Sequence, residues 1–254
     1  MDIVVLGSGN VATHLAQALK ANGESVMQVY SQNLNHAKIL ADVVDAEAID
    51  TFEALALDAD LYIISVKDDA IEAVAEQLKS VSGLVVHTSG TTDVRALSSH
   101  VKHAGVFYPL QTFSKTKTVS FENIPLCLEA IEPAQMQFLK SVAYKLSRSV
   151  YELDGEKRKA LHLAAVFACN FPNHLYAMTN QILEQHGLDF DIIRPLISET
   201  ANKVMNDLPE TVQTGPAIRG DEHTINQHLN MLNNLPELQG IYQTLSNSIK
   251  LTKK

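Results

Sequence analysis

The sequence predicts an α/β fold with a doubly wound, mainly parallel sheet over residues 1–153, followed by an all-α segment over residues 154–254. Short all-apolar runs at residues 3–6 and 61–66 alternate with segments of helical spacing, a pattern typical of strands buried on both faces of a parallel sheet. Beyond Asp154 the strand pattern ends and apolar residues recur only at helical spacing. We therefore expect two domains.

The elements follow from the same patterns. Strands are predicted at residues 3–6, 25–30, 61–66, 84–87, 105–108, 125–129 and 149–153, and the helices between them at 11–22, 36–42, 71–78, 94–101 and 139–146. Asp69 looks like the cap of the third of these helices. In the second half, helices are predicted at 161–182, 192–205, 221–232 and 236–249, with a turn-rich loop at 208–220.

Composition excludes several classes of protein. With 46% hydrophobic and 19% charged residues, the chain has the make-up of a globular protein with a sizeable core. A net charge of -9 argues against a nucleic-acid partner, which would need clustered Lys and Arg.

No apolar run approaches the roughly 20 residues that span a bilayer, and no signal-peptide pattern opens the sequence, so we expect no membrane partner and a cytoplasmic location. Cys127 and Cys169 are expected to be reduced, buried thiols, and no metal site is predicted.

A glycine pattern at the first strand-to-helix connection predicts dinucleotide binding. Gly7-Ser8-Gly9-Asn10-Val11-Ala12 matches G-x-G-x-x-G/A directly after the first strand. The first glycine permits the tight turn, the second admits the pyrophosphate, and the small third residue lets helix and strand pack closely. Helix N-terminal amides then face the anion, as in Rossmann-type domains. The alternative is a tight connection without a ligand.

The end of the second strand bears on which dinucleotide binds. NAD-binding domains place an Asp or Glu about 20 residues beyond the glycines, yet residues 25–41 contain no acid. Ser31 and Gln32 offer neutral hydrogen-bonding groups there, and His36 and Lys38 could bring positive charge towards a 2′-phosphate. NADP is therefore favoured over NAD. A solvated turn without preference stays open, because no Arg is present to pair with the phosphate.

Several segments carry a family resemblance. They are Gly7-Ser8-Gly9-Asn10-Val11-Ala12, Val86-His87-Thr88-Ser89-Gly90, Pro109-Leu110-Gln111-Thr112-Phe113, Ala168-Cys169-Asn170-Phe171 and Thr214-Gly215-Pro216-Ala217-Ile218-Arg219-Gly220-Asp221. The chain resembles NADP oxidoreductases related to pyrroline-5-carboxylate reductase and the 6-phosphogluconate/β-hydroxyacid dehydrogenase superfamily. More narrowly, it resembles an uncharacterised family that joins a Rossmann-like domain to a helical C-terminal domain of unknown function.

That resemblance implies a nicotinamide cofactor on the first domain, a substrate cleft between domains and a homodimer built through the helical half. Two positions depart from the relatives. They often have His where Tyr108 precedes Pro109, and β-hydroxyacid dehydrogenases have a catalytic Lys where Val166 stands four residues before Asn170.

The carboxyl ends of the strands supply the predicted cleft residues. Ligands bind there in open α/β sheets, which places Ser65-Val66-Lys67 and His87-Thr88-Ser89-Gly90 on the cleft side. His87 is the leading candidate for proton donor, with Ser89 as a hydrogen-bond donor beside it. Equally, His87 could be a buried histidine that ends a strand, and Ser89 could shape the turn.

The helical half contributes further candidates. Asn170 could bind a substrate polar group or the nicotinamide amide, or satisfy backbone groups freed by Pro172. Arg219 could hold a carboxylate or phosphate bidentately, or pair with a nearby acid, Asp221 or Glu222. Asp221 is a natural helix cap. His162 and His174 are expected at an interface or partly exposed.

The sequence therefore predicts an NADP-dependent oxidoreductase that transfers hydride between nicotinamide and a small carbonyl or imine substrate. The alternative, favoured by the missing Lys, is a non-catalytic nucleotide-binding sensor or scaffold. The predicted catalytic residues are His87, Ser89, Asn170 and Arg219. The predicted cofactor-binding residues are Gly7, Ser8, Gly9, Asn10, Val11, Ser31, Gln32, Ser65, Val66 and Lys67.

Overall fold

A computed structural model describes residues 1–252 and confirms the α/β half and the helical half. The strands are β1 (Asp2–Leu6), β2 (Ser25–Tyr30), β3 (Glu47–Ile49), β4 (Leu61–Ile64), β5 (Leu84–His87), β6 (Ala104–Pro109), β7 (Leu126–Ala130) and β8 (Val150–Glu152). The helices are α1 (Asn10–Ala21), α2 (Leu34–Val44), α3 (Ile71–Gln77), α4 (Arg95–Ser98), α5 (Pro133–Leu146), α6 (Gly155–Ala165), α7 (Phe171–Gln185), α8 (Arg194–Asn206), α9 (Pro216–Arg219), α10 (Glu222–Met231) and α11 (Pro236–Thr252).

The eight strands form one sheet in the order β3-β2-β1-β4-β5-β6-β7-β8. Every neighbouring pair is parallel except β6 and β7. The chain winds outwards from β1 in both directions, so the order reverses between β1 and β4. In open α/β sheets this reversal leaves a crevice at the carboxyl ends of the two strands.

Buried apolar layers cover both faces of the sheet. One layer packs α1, α2 and α5 against the sheet, and the other contains α3 and α4. β4 and β5 are buried along their whole length, which fits their apolar sequences, in which His87 at the end of β5 is the exception. Ala12 of α1 is fully buried, so its small side chain lets α1 pack closely on the sheet.

Two local predictions need correction, and one strand was missed. The cap predicted at Asp69 is wrong, because a 3₁₀ turn over Asp68–Ala70 precedes α3 and no described side chain caps that helix. The helix predicted over residues 94–101 shortens to the four residues of α4. β3 was not predicted, because three residues are too few to show a strand pattern, and its backbone pairing with β2 forms it.

The chain divides into two compact units, Met1–Cys169 and a second one beginning at Asn170. The sequence predicted the change at residue 153, where the strands end. Helix α6 lies in the first unit, and its buried Arg158 binds groups of the sheet half.

The second unit is helical and its long helices are poorly buried. Neither α7 nor α8 contains a single buried residue, although each keeps apolar side chains at helical spacing. Asp221 caps α10 as predicted, since its carboxylate accepts the Thr224 N–H at 3.1 Å. Of the described helices, none is long and apolar enough to cross a bilayer.

The two cysteines differ in environment. Cys127 is buried in β7, as expected, and burial raises the pKa of its thiol to about 11. The expectation for Cys169 is wrong, because it is exposed in a π-helical segment, Val166–Asn170, that joins α6 to α7.

Candidate active site

The glycine turn after β1 requires a glycine at its first position. Gly7 has φ +128°, and a Cβ built there would lie 2.1 Å from the Ser65 carbonyl oxygen. Its N–H donates to the Tyr30 carbonyl at 2.8 Å. Gly7, at the end of β1, therefore contacts both the end of β2 and the loop after β4. This close approach fits the tight-turn role predicted for the first glycine.

The second glycine leaves the start of α1 open. Gly9 is the N-cap of α1 and makes no side-chain cap, and no described atom lies within 4 Å of a Cβ built on it. The first N–H groups of a helix lack intrahelical partners and carry partial positive charge. This open, uncapped helix start therefore fits a pyrophosphate.

A loop outside the predicted site, residues 113–115, lies beside the turn. Asn10 Nδ2 donates to the Phe113 carbonyl at 3.0 Å, and His14 Nε2 donates to the Ser114 carbonyl at 2.9 Å. Lys115 Nζ donates to the Ser8 carbonyl at 2.8 Å, which puts a cation next to the proposed phosphate position. No sequence motif links residues so far apart, so this loop was missed.

The turn opens onto a pocket of about 740 Å³ in the first unit. Every residue predicted to bind cofactor lines it, namely Gly7, Ser8, Gly9, Asn10, Val11, Ser31, Gln32, Ser65, Val66 and Lys67. The same pocket is also lined by Asp68, Thr88, Ser89, Gly90, Tyr108, Gln111 and His162. The phosphate turn and a cluster of hydrogen-bonding side chains thus share one cavity.

At the end of β2 only neutral groups face the pocket. Ser31 accepts a hydrogen bond from the Ser8 hydroxyl at 3.2 Å, and Gln32 is exposed beside it. Asn33 instead caps α2 by accepting the Asn35 N–H at 3.0 Å. His36 and Lys38 are exposed on α2 and are absent from the described pocket lining.

His87 is fully buried at the end of β5 and does not belong to the described pocket lining. Its Nδ1 accepts the Ser89 N–H at 3.2 Å, so the neutral ring carries its proton on Nε2. Burial, aided by the nearby Arg158 cation, lowers the pKa of His87 to about 3. The proposed proton donor is therefore neutral and shielded, and the geometry supports its other interpretation, a buried histidine that ends a strand.

Ser89 lines the pocket but its hydroxyl organises the loop. Its Oγ accepts the N–H groups of Thr91 at 3.1 Å and Thr92 at 3.0 Å. Thr88 Oγ1 donates to Ser65 Oγ at 3.1 Å, tying the ends of β4 and β5 together. These bonds fit the turn-shaping alternative for Ser89.

Tyr108 and His162 form the polar pair of this pocket. Tyr108 Oη lies 3.0 Å from His162 Nδ1, and both residues line the cavity. Burial, with smaller contributions from Cys127 and Asp68, raises the pKa of Tyr108 to about 12, so the phenol stays protonated at neutral pH. A hydroxyl hydrogen-bonded to an imidazole can pass a proton to a bound molecule and regain one from the ring.

Gly90 brings the loop close to this pair. A Cβ on Gly90 would lie 2.6 Å from His162 Nδ1 and 3.0 Å from His162 Cβ. A side chain at position 90 would therefore displace the imidazole. The sequence signals were Tyr108 at the carboxyl end of a strand, where relatives often have His, and the polar His162 between Leu161 and Leu163. They lie 54 positions apart, so only the folded chain pairs them.

The other two predicted catalytic residues belong to the second unit. Asn170 ends the π-helical segment and Arg219 ends α9, where it is exposed. Glu222, one of the acids considered as a partner for Arg219, pairs with Lys250 at 2.7 Å. The substrate-binding roles of Asn170 and Arg219 stay predictions. Among the described residues, no group of three or more His, Cys, Asp or Glu could hold a metal.

Two family models match the chain. Residues 2–89 match the family described as NADP oxidoreductase, coenzyme F420-dependent, and residues 124–249 match a domain of unknown function (DUF2520). The comparison with curated proteins gave no match.

Solved structures are similar over nearly the whole chain. A candidate NADP oxidoreductase from Bacteroides fragilis is 46% identical, with 98% of this chain and 97% of that chain covered and a TM-score of 0.93. A protein from Thermotoga maritima is 23% identical, with 99% of each chain covered and a TM-score of 0.83. An imine reductase from Myxococcus stipitatus, solved with NADP+, is 14% identical, with 98% and 92% covered and a TM-score of 0.65. The last two likenesses show the fold alone.

Proposed function

Because this chain belongs to the family that joins an NADP oxidoreductase domain to a C-terminal domain of unknown function, we propose that it transfers hydride between NADP and a small carbonyl or imine compound. The observation that carries the proposal is the hydrogen bond of 3.0 Å between Tyr108 and His162 in the pocket that also contains the glycine turn. A reductase needs a dinucleotide site and a proton source within reach of one another.

The chain's own residues account for cofactor binding. The open start of α1 and Gly9 would receive the pyrophosphate, with the Lys115 cation beside Ser8. Ser31 and Gln32 would face the ribose, and the lack of an acid there favours NADP over NAD. When bound, the nicotinamide supplies or accepts hydride.

The proton step belongs to Tyr108 and His162 in this proposal. The Tyr108 hydroxyl gives its proton to the oxygen or nitrogen of the substrate that is reduced, and His162 returns a proton through Nδ1. Water that enters through the pocket opening then gives the imidazole a proton for the next cycle. His87, which the sequence favoured for this step, instead stabilises the loop that follows β5.

The test is NADPH oxidation across a panel of aldehydes, ketones, keto acids and imines. We expect at least one compound to turn over, and Tyr108→Phe to lower kcat by about 10²–10⁴-fold with the dissociation constant for NADP unchanged. Tyr144→Phe is a matched control, because Tyr144 is 62% exposed on α5. Full activity in Tyr108→Phe would refute the assignment. No turnover by any compound, together with tight NADP binding, would favour the sensor.

We further propose that a second copy of this chain covers the helical unit. The support is that α7 and α8 bury none of their residues while Leu188, Ile192, Leu196 and Met205 remain about half exposed or more. Exposed apolar side chains concentrated on helices that bury none of their residues favour an interface. The family resemblance implies the same arrangement, a homodimer through the helical half.

A further inference from the structure

Arg158 is a buried cation of the first unit and is not among the described residues that line the pocket. Its side chain is 1% exposed, and it lies on α6 one helical turn before His162. We propose that Arg158 is the positioning residue that holds His162 against Tyr108. This inference rests on the proposed function.

The guanidinium of Arg158 connects three parts of the fold. Its Nη1 donates to the carbonyls of Ser89 at 3.1 Å and Thr92 at 2.8 Å, on both sides of Gly90. Its Nη2 donates to Glu129 Oε2 on β7 at 2.9 Å. One side chain therefore fixes α6 to the loop after β5 and to the sheet.

The loop that Arg158 holds is the one that contacts the imidazole. Gly90 lies between the two residues whose carbonyls Arg158 binds. Its backbone approaches His162 so closely that an added Cβ would lie 2.6 Å from Nδ1. Arg158 prevents the loop from moving away from α6, and the contact of Gly90 with His162 prevents it from moving closer. The position of the ring opposite Tyr108 is thus limited from both directions.

The chemistry of arginine suits this task. The planar fork places its donors in fixed directions, whereas a lysine ammonium is a single point of charge on a flexible stem. A buried ion pair is rarely more stabilising than well-packed apolar side chains, so geometry is the better explanation for a guanidinium at this position. The Arg158 cation also acts to lower the pKa of Tyr108, against the effect of burial.

The experiment observes the His162 ring directly and needs no substrate. Isotope-labelled histidine gives nitrogen NMR signals for Nδ1 and Nε2 whose positions report tautomer and hydrogen bonding, and His162→Gln assigns them. Tyr108→Phe defines the signal of an imidazole without its partner. We expect Arg158→Lys to move the Nδ1 signal from the wild-type position towards that of Tyr108→Phe. Arg148→Lys is the control, because Arg148 is 81% exposed and pairs with Glu122, and it should leave the signal unchanged.

Two results would overturn the inference: an Arg158→Lys signal identical to wild type, or a Tyr108→Phe signal identical to wild type. If Arg158→Lys does not fold, Glu129→Ala decides, because it removes the carboxylate that accepts from Nη2 and so detaches the guanidinium from the sheet. A shift in that variant supports the inference and no shift refutes it.

Activity separates this inference from the proposed function. With any compound that turns over, Arg158→Lys should lower kcat on the order of 10²-fold, because displaced catalytic groups lose about that much, while NADP binding stays unchanged. If the His162 signal shifts as expected but no compound is reduced, the positioning role of Arg158 is supported and the proposed function is refuted.

Discussion

His87 and His162 are both close to the loop after β5, yet their surroundings give them different roles. His87 is fully buried, its Nδ1 accepts the Ser89 N–H, and burial lowers its pKa, so it stays neutral and lies outside the described pocket lining. His162 is half-buried, lines the pocket and contacts the hydroxyl of Tyr108. A proton donor must reach both its substrate and a source of protons, and of the two only His162 meets that requirement.

The buried His87 predicts a pH-dependent stability. Its pKa is about 3 in the folded chain and near 6.5 when unfolded, so the unfolded state binds the extra proton between these values. Stability from this group is therefore present above pH 6.5 and lost as the pH falls towards 3, by up to about 1.4 kcal/mol per pH unit. We expect His87→Gln to weaken that acid sensitivity, measured by denaturant unfolding at several pH values.

The comparison variant for this prediction is His36→Gln, because His36 is exposed on α2. It should retain the pH dependence of the wild type. Curves for His87→Gln and wild type that run parallel from pH 6.5 to 3 would show that His87 titrates normally in the folded chain.

At the scale of elements, the β1-turn-α1 unit is the best-determined part of the site. Its strand, its glycines and its helix follow one another within the first 21 residues, so local pattern sufficed to predict all three. Gly7 and Gly9 nevertheless serve different purposes. Gly7 fits a contact within the protein, and Gly9 faces open space.

This difference predicts opposite outcomes for two alanine variants. Gly9→Ala should fold normally, because Gly9 has φ -75° and its Cβ would meet no described atom, but the methyl group should weaken NADP binding at least tenfold. Gly7→Ala should lower the free energy of unfolding by more than about 1–3 kcal/mol, because it adds a clash to a strained φ. Calorimetry with NADP and NAD, and thermal unfolding, measure both effects.

For the glycine pair, unchanged NADP affinity in Gly9→Ala would mean that the pyrophosphate lies elsewhere. If calorimetry detects no binding of either dinucleotide to the wild-type protein, the proposed cofactor site is refuted.

At the scale of the whole molecule, the exposed helices of the second unit predict a dimer. Stable interfaces bury about 1,200–2,000 Å² and are more apolar at the centre than the free surface. Sedimentation should therefore give a mass near twice the 27.9 kDa of the chain. Leu196→Asp should give monomers, because Leu196 is 59% exposed on α8 and a charge there would be buried on association.

The matched control for the dimer is Ile39→Asp, which introduces the same charge at a residue that is 65% exposed on α2 of the first unit. It should leave the dimer intact. A wild-type chain that sediments as a monomer, or a Leu196→Asp variant that stays dimeric, would refute the proposed interface.

The sequence by itself determined the alternation of strands and helices apart from β3, the glycine turn and the uncharged end of β2, because each depends on neighbouring residues or on a short repeat of apolar positions. It could also name Ser65, Val66 and Lys67, since carboxyl ends of parallel strands meet at one edge. All of these residues line one pocket.

Only the tertiary structure decided which polar residues meet. Burial separated His87 from the pocket, and contacts across 54 and 69 positions paired Tyr108 with His162 and Arg158 with Ser89. The physical reason is that the spacing of apolar residues shows which face of a helix or strand is buried, whereas a proton transfer depends on distances between side chains from different elements. Those distances are fixed by packing, which no local pattern records.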